Sequence, residues 1–127
     1  MSANPYDAYR DNEVLMADPL HLVRLLYEGA LDAIAEARQW LRAEDPFSRS
    51  NAITRAQGIL VELQASLDFE RGGEIAKNLG ELYAYVKSKL FEANLQQRDE
   101  PLAESSKLLG NLLEGWRTIS SFATVTP

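Results

Sequence analysis

Apolar positions recur along this chain at alternating spacings of three and four residues, which is the period of one buried face of an α-helix and not the strict alternation of a strand. Over about 19–43 the stripe is Val23, Tyr27, Ala30, Ile34, Ala37 and Leu41. Over about 46–70 it is Ile53, Ala56, Leu60, Leu63 and Leu67. Over about 74–98 it is Ile75, Leu79, Leu82, Val86, Leu90 and Ala93, and over about 101–122 it is Leu102, Leu109, Leu112, Trp116 and Ile119, widened by Leu108 and Leu113. The boundaries are written in punctuation residues. Asn4-Pro5, Asp18-Pro19, Asp45-Pro46 and Glu100-Pro101 each put proline where a helix's first free amide has no partner, with a preceding side chain able to cap the others. Glu100 caps less well than Asp99, so that start can shift by a residue. Gly72-Gly73 reads as a helix stop before Glu74.

Four helices of similar length, roughly 35 Å each at 1.5 Å per residue, with links too short for a crossover, predict an all-α, antiparallel up-down-up-down four-helix bundle. One domain fills 1–127. Residues 1–17 form an N-terminal arm or short helix anchored by Tyr6, Tyr9, Val14, Leu15 and Met16; the bundle spans 18–122; 123–127 are a loose tail.

Helices two and three carry a second soft stripe. Gly58, Val61, Ala65 and Phe69 lie about 100 to 180° around the helix from Leu60, and Gly80, Ala84 and Phe91 repeat the pattern behind Leu82. A bundle of four has no central helix, so these positions are predicted to face outward. Small residues between aromatics make a shallow channel, suited to an amphipathic helix laid into an apolar groove. Scattered exposed apolar side chains are the plainer alternative.

Composition narrows the chemistry. With 46% apolar and 25% charged residues in 127, a packed core is within reach. The absence of cysteine excludes disulfides, thiol nucleophiles and cysteine-ligated metals, and fits a reducing compartment. The single histidine excludes a Glu-x-x-His di-iron site. Glu28, Asp32, Glu36, Glu62 and Glu81 fall opposite the apolar stripes and read as solvated, so no acid/base pair, cofactor site or metal site is assigned. Tyr27, Tyr83, Tyr85, Trp40 and Trp116 read as core fillers. A net charge of −6 argues against nucleic acid as a partner. No apolar run approaches a membrane span, and the chain reads as cytoplasmic, without membrane insertion. His21 raises a histidine phosphotransfer bundle as a second reading, but it sits in the first turn with Leu25 four residues on, which crowds it.

The ordered segments Ala17-Asp18-Pro19, Leu22, Val23 and Leu26-Tyr27-Glu28-Gly29-Ala30, then Leu67-Asp68 with Gly72-Gly73-Glu74-Ile75-Ala76, then Leu79, Leu82-Tyr83, Leu90, Ala93-Asn94-Leu95 and Trp116 resemble the flagellar secretion chaperones of the FliS family over nearly the whole chain. The departures are slight: Asp18 stands where serine is common, and Glu28 where aspartate is usual. The resemblance implies a non-enzymatic cytoplasmic export chaperone. Its client would be the C-terminal segment of flagellin, kept from polymerising early and delivered to the flagellar export gate of the type III apparatus. It also implies that the tyrosine segment, here Tyr6 and Tyr9, belongs to the binding region, beside Gly58, Val61, Ala65, Phe69, Gly80, Ala84 and Phe91. A helical adaptor for another client, and a weak homodimer through the same groove, remain open at this stage.

Overall fold

The computed structural model describes residues 19–125, with side chains as far as residue 119, and Tyr6 and Tyr9 lie outside the described residues. It has helices α1 (Pro19–Arg42), α2 (Pro46–Ala65), α3 (Phe69–Gln96) and α4 (Glu100–Val125). Helix α1 packs on α2 and α4, and α3 packs on the same two, so the four close into a ring in chain order. Cross-links between successive helices run in opposite senses along the chain, Ser50 to Asn94 and Gln64 to Lys87 for α2 and α3, Glu28 to Arg117 and Arg38 to Asp99 for α1 and the α4 end. This is the antiparallel bundle that the periodicity predicts.

Caps set the helix starts. Asp45 accepts from the Ser48 amide at 3.0 Å while the Ser48 hydroxyl donates to its second oxygen at 3.0 Å, with Pro46 opening α2. Those bonds, the backbone one first, hold the Asp45 carboxyl below its ordinary pKa. At α4 the Asp99 carbonyl accepts from the Ala103 amide at 2.9 Å, and the helix begins at Glu100. The Asp99 carboxylate is gripped by both arms of the Arg38 guanidinium at 2.8 and 2.9 Å, which lowers its pKa and ties α1 to the α3–α4 link. Helical backbone continues to Val125, past the expected end at 122.

The α2–α3 boundary differs from expectation. Helix α2 ends at Ala65 and not near 70, because Asp68 is the stronger start signal: its carboxylate accepts from the Glu70 and Arg71 amides at 3.1 and 3.0 Å. Phe69 therefore belongs to α3. The Gly72-Gly73 pair interrupts the helical backbone before Glu74 as expected, with Gly73 at φ +51°, ψ −125°, a conformation open to glycine almost alone, so that α3 is a short first segment from Phe69 and a long one from Glu74 joined across a kink. Gly73→Ala is expected to lower stability by about 1–3 kcal/mol. Gly58→Ala, in a helical position with open space around it, should raise stability by up to about 1 kcal/mol. Chemical denaturation of the two variants checks the pair, and a shift of the same sign in both would overturn the assignment.

The core is a ladder of small and large side chains: Ala30, Ile34 and Ala37 from α1, Ile53, Ala56, Leu60 and Leu63 from α2, Val86, Leu90 and Ala93 from α3, Leu102 and Leu109 from α4. At one level Tyr27 and Tyr83 meet across the diagonal, hydroxyl to hydroxyl at 2.6 Å, rings edge to face with centroids 6.2 Å apart, and Trp116 stacks edge-on against Tyr27 at 6.4 Å. Burial, before any other cause, pushes both phenols above their ordinary pKa. The inward stripe of α3 is thus Ala76, Leu79, Tyr83, Val86, Leu90 and Ala93. Two expected core residues move out by one position: Leu82 is half-buried beside Tyr83, and Ile75 is 70% exposed beside Ala76. The tyrosine takes the inner place because its hydroxyl finds a buried partner there. Ile119, too, is exposed, as are Trp40 and Tyr85 among the aromatics read as core fillers.

Candidate functional site on the α2 and α3 flank

Two seams border each helix, and their closures differ in kind. Arg55 pairs with Glu36 across α1–α2, Arg117 with Glu28 at 3.5 Å across α1–α4, and Lys89 with Glu104 at 3.9 Å across α3–α4. Across α2–α3 the ties are Ser50 to Asn94 at 3.1 Å, Arg49 to Asn94 at 3.1 Å and Lys87 to Gln64 at 3.0 Å. None of these three ties involves a carboxylate.

On its outer side the seam is lined with apolar surface. Val61, one turn before Gln64, is 50% exposed; Ala84 and Phe91, one turn to either side of Lys87, are exposed, Phe91 at 63%. Gly80 is half-buried, and a methyl group added to it would touch the Leu67 side chain at 3.4 Å and the Phe69 ring at 3.8 Å. The Asp68 turn thus folds Phe69 over Gly80, closing one end of the strip while the Phe69 ring itself stays 59% exposed. Ala65 is exposed at the last residue of α2. Gly58 is exposed with open space around it, one turn before Val61, at the outer edge. Among the described residues proposed from sequence, then, Val61, Gly80, Ala84 and Phe91 share the α2–α3 flank, Phe69 joins it from α3 and not from α2, and Gly58 and Ala65 border it.

Two features escaped the sequence. Leu95, one turn beyond Phe91, is 70% exposed and lengthens the strip; its place four residues after Phe91 was the available signal. A cavity of about 280 Å³ opens where the Asp68 turn meets the start of α1 and the Trp116 end of α4, lined by Val23, Leu67, Gly72, Ile75, Leu79 and Trp116. It lies beside the kink at Gly73, with Gly72 and Ile75 from either side of the kink in its lining.

Of the hydroxyls lining the cavity, Ser66 donates to the Leu63 carbonyl at 2.7 Å and Tyr83 is bonded to Tyr27, so neither is paired with a base. His21, half-buried in the first turn of α1, accepts at Nδ1 from Arg24 at 2.8 Å. No group of three or more His, Cys, Asp or Glu side chains among the described residues is placed to hold a metal ion, and no described helix is long and apolar enough to cross a membrane.

The family profile described as "Flagellar protein FliS" matches residues 2–123. Flagellar secretion chaperone FliS of Salmonella typhimurium is 38% identical over 115 residues, 90% of this chain and 85% of that protein. Flagellar secretion chaperone FliS of Campylobacter jejuni is 36% identical over 120 residues, 94% of each chain. Flagellar secretion chaperone FliSB of Pseudomonas aeruginosa is 40% identical over 108 residues, 85% of this chain and 86% of that protein.

Proposed function

This chain belongs to the FliS family of flagellar proteins, a family of secretion chaperones and not of enzymes, and from that premise we propose that it chaperones flagellin in the cytoplasm. It binds the C-terminal helical segment of the newly made subunit, keeps it from polymerising, and assists its delivery to the flagellar type III export gate. The observation that carries this reading is the outward apolar strip along the α2–α3 flank, with Val61, Phe69 and Phe91 exposed on helices whose inner faces are already satisfied by the core. Bulky apolar side chains left in water along one seam make a docking surface for an apolar helix. Flagellin's terminal segment is a helix former whose apolar face self-associates, so covering that face is what prevents assembly. Tyr6 and Tyr9 belong to the same binding region in this reading.

The test is calorimetric titration of a peptide of the C-terminal segment of flagellin into the full chain, with a scrambled peptide of the same composition as control. Saturable binding of the first and none of the second is expected. No heat and no complex with the native-order peptide would overturn the proposal, and capture of a different protein from an extract of flagellated cells would point to the adaptor reading.

A further inference from the structure

Among the described residues, the ties of Lys87 and Arg49 across the α2–α3 seam go to neutral oxygen, and this seam lies beneath the apolar strip. Lys87 and Lys89 sit two residues apart on α3 and face opposite seams. Lys89 has Glu92 at 3.2 Å and Glu104 at 3.9 Å, and lies 5.4 Å from the centre of the Tyr85 ring. Lys87, half-buried, has only the neutral Gln64 carbonyl at 3.0 Å. The second cation at this seam, Arg49, also bonds only to neutral oxygen, both from Asn94. Asn94 holds Arg49 deep in the seam, and Arg49 is buried, so its charge is committed to the fold. Lys87 is different: an amide is a weaker partner for an ammonium than a carboxylate is, and this ammonium is placed between Val61, Ala84 and Phe91. On a chain of net charge −6, Lys87 thus brings a positive charge without a carboxylate partner to the apolar strip.

We propose that Lys87 is a specificity-determining residue of the α2–α3 groove, reading a carboxylate carried beside the apolar face of the helix that docks there. The inference rests on the reading of this flank as the client groove and adds what that reading lacks, a charge requirement. In the free chain Gln64 holds the lysine extended along the seam. When the partner helix lies over Val61, Ala84 and Phe91 it excludes water from the ammonium, and a carboxylate one turn from the partner's apolar anchors replaces or supplements the amide. Charge complementarity at this point also opposes a second copy of this chain as the occupant, because that copy would bring the same lysine to the same strip. A partner helix with lysine or arginine in that place is rejected.

The experiment titrates the flagellin C-terminal peptide into wild type, Lys87→Met, Lys89→Met and Val61→Asp, at low and at physiological salt, with thermal melts of each. Lys87→Met keeps the aliphatic stem and removes only the charge, so its melt should match wild type. Its affinity should fall about twofold to fivefold, the scale of one partly exposed ion pair. The salt dependence should fall with it. Lys89→Met, already neutralised on the far seam, should bind as wild type. Replacing the peptide's acidic residues one at a time by their amides should reveal one whose loss weakens wild type and leaves Lys87→Met unchanged. Unchanged affinity and salt dependence in Lys87→Met, with Val61→Asp impaired, would overturn the charge requirement and leave the groove standing. Normal binding by both variants would overturn the groove itself, and self-association of the free chain abolished by Val61→Asp but not by the peptide would assign the strip to a second copy.

Discussion

Leu60→Ala should lower the unfolding free energy by about 2–5 kcal/mol, whereas Leu82→Ala should cost no more than about 1 kcal/mol. Both residues lie on apolar stripes of matching period, and only their surroundings differ. Leu60 is wholly buried in the middle of α2, packed among residues of the core cluster, so truncation removes its transfer energy and leaves a void that rigid helices on both sides cannot close. Leu82 is half-buried on the shoulder of α3 beside Tyr83, and water fills the space its side chain leaves. Urea denaturation of both variants, with equal dependence on denaturant so that the midpoints report stability alone, separates the two expectations. Losses of equal size would mean that α3 turns Leu82, and not Tyr83, toward the core.

That one-residue rotation shows where periodicity stops being informative. A spacing of three and four tells which residues share a helical face, but α3 has a row through Ile75, Leu82 and Val86 and a neighbouring row through Ala76, Tyr83 and Val86, and both are apolar. The choice falls to a partner fifty-six residues away: the Tyr27 hydroxyl, which gives the Tyr83 hydroxyl a buried bond at 2.6 Å. No local pattern contains that information. The helix starts were legible, because Asp45-Pro46 and Asp99 act through bonds to their own next turn. The α2–α3 boundary was misread for the opposite reason. Asp68 and Gly72-Gly73 are both valid signals four residues apart, and both act: the N-cap ends α2 early and starts a short helical turn at Phe69, and Gly73 then breaks the helical backbone before Glu74. Exposure of Val61, Ala84 and Phe91 followed from phase alone, since a residue opposite a buried stripe in a four-helix ring has only water to face. The cavity beside Trp116 and the neutral partners of Lys87 and Arg49 across the α2–α3 seam needed three dimensions, because each is a property of several helices at once.

Val61→Asp is expected to weaken binding of the flagellin C-terminal peptide at least about thirtyfold, equivalent to about 2 kcal/mol, while leaving the melt within a few degrees of wild type. Val61 is half in water in the free chain, so an aspartate there stays solvated and costs the fold little beyond a small loss of helix propensity. In the complex the same carboxylate would be pressed against an apolar helix face. Lys87 lies on the facing helix but is held by Gln64, and any pairing with it would take away the cation that the proposed partner carboxylate uses. Position 61 is a sharper probe than Ala65, the last residue of α2, where a negative charge also meets the negative end of the helix dipole and would lower stability for a reason unrelated to binding. Glu81→Ala, an exposed change on α3, serves as the control and should alter neither quantity. An unchanged affinity with an unchanged melt would remove this flank from the binding site without touching family membership, which rests on the length of the matching chain. A collapsed melt would show that another part of the chain covers Val61 and that the strip is interior surface, in which case the client must displace that cover before it can bind.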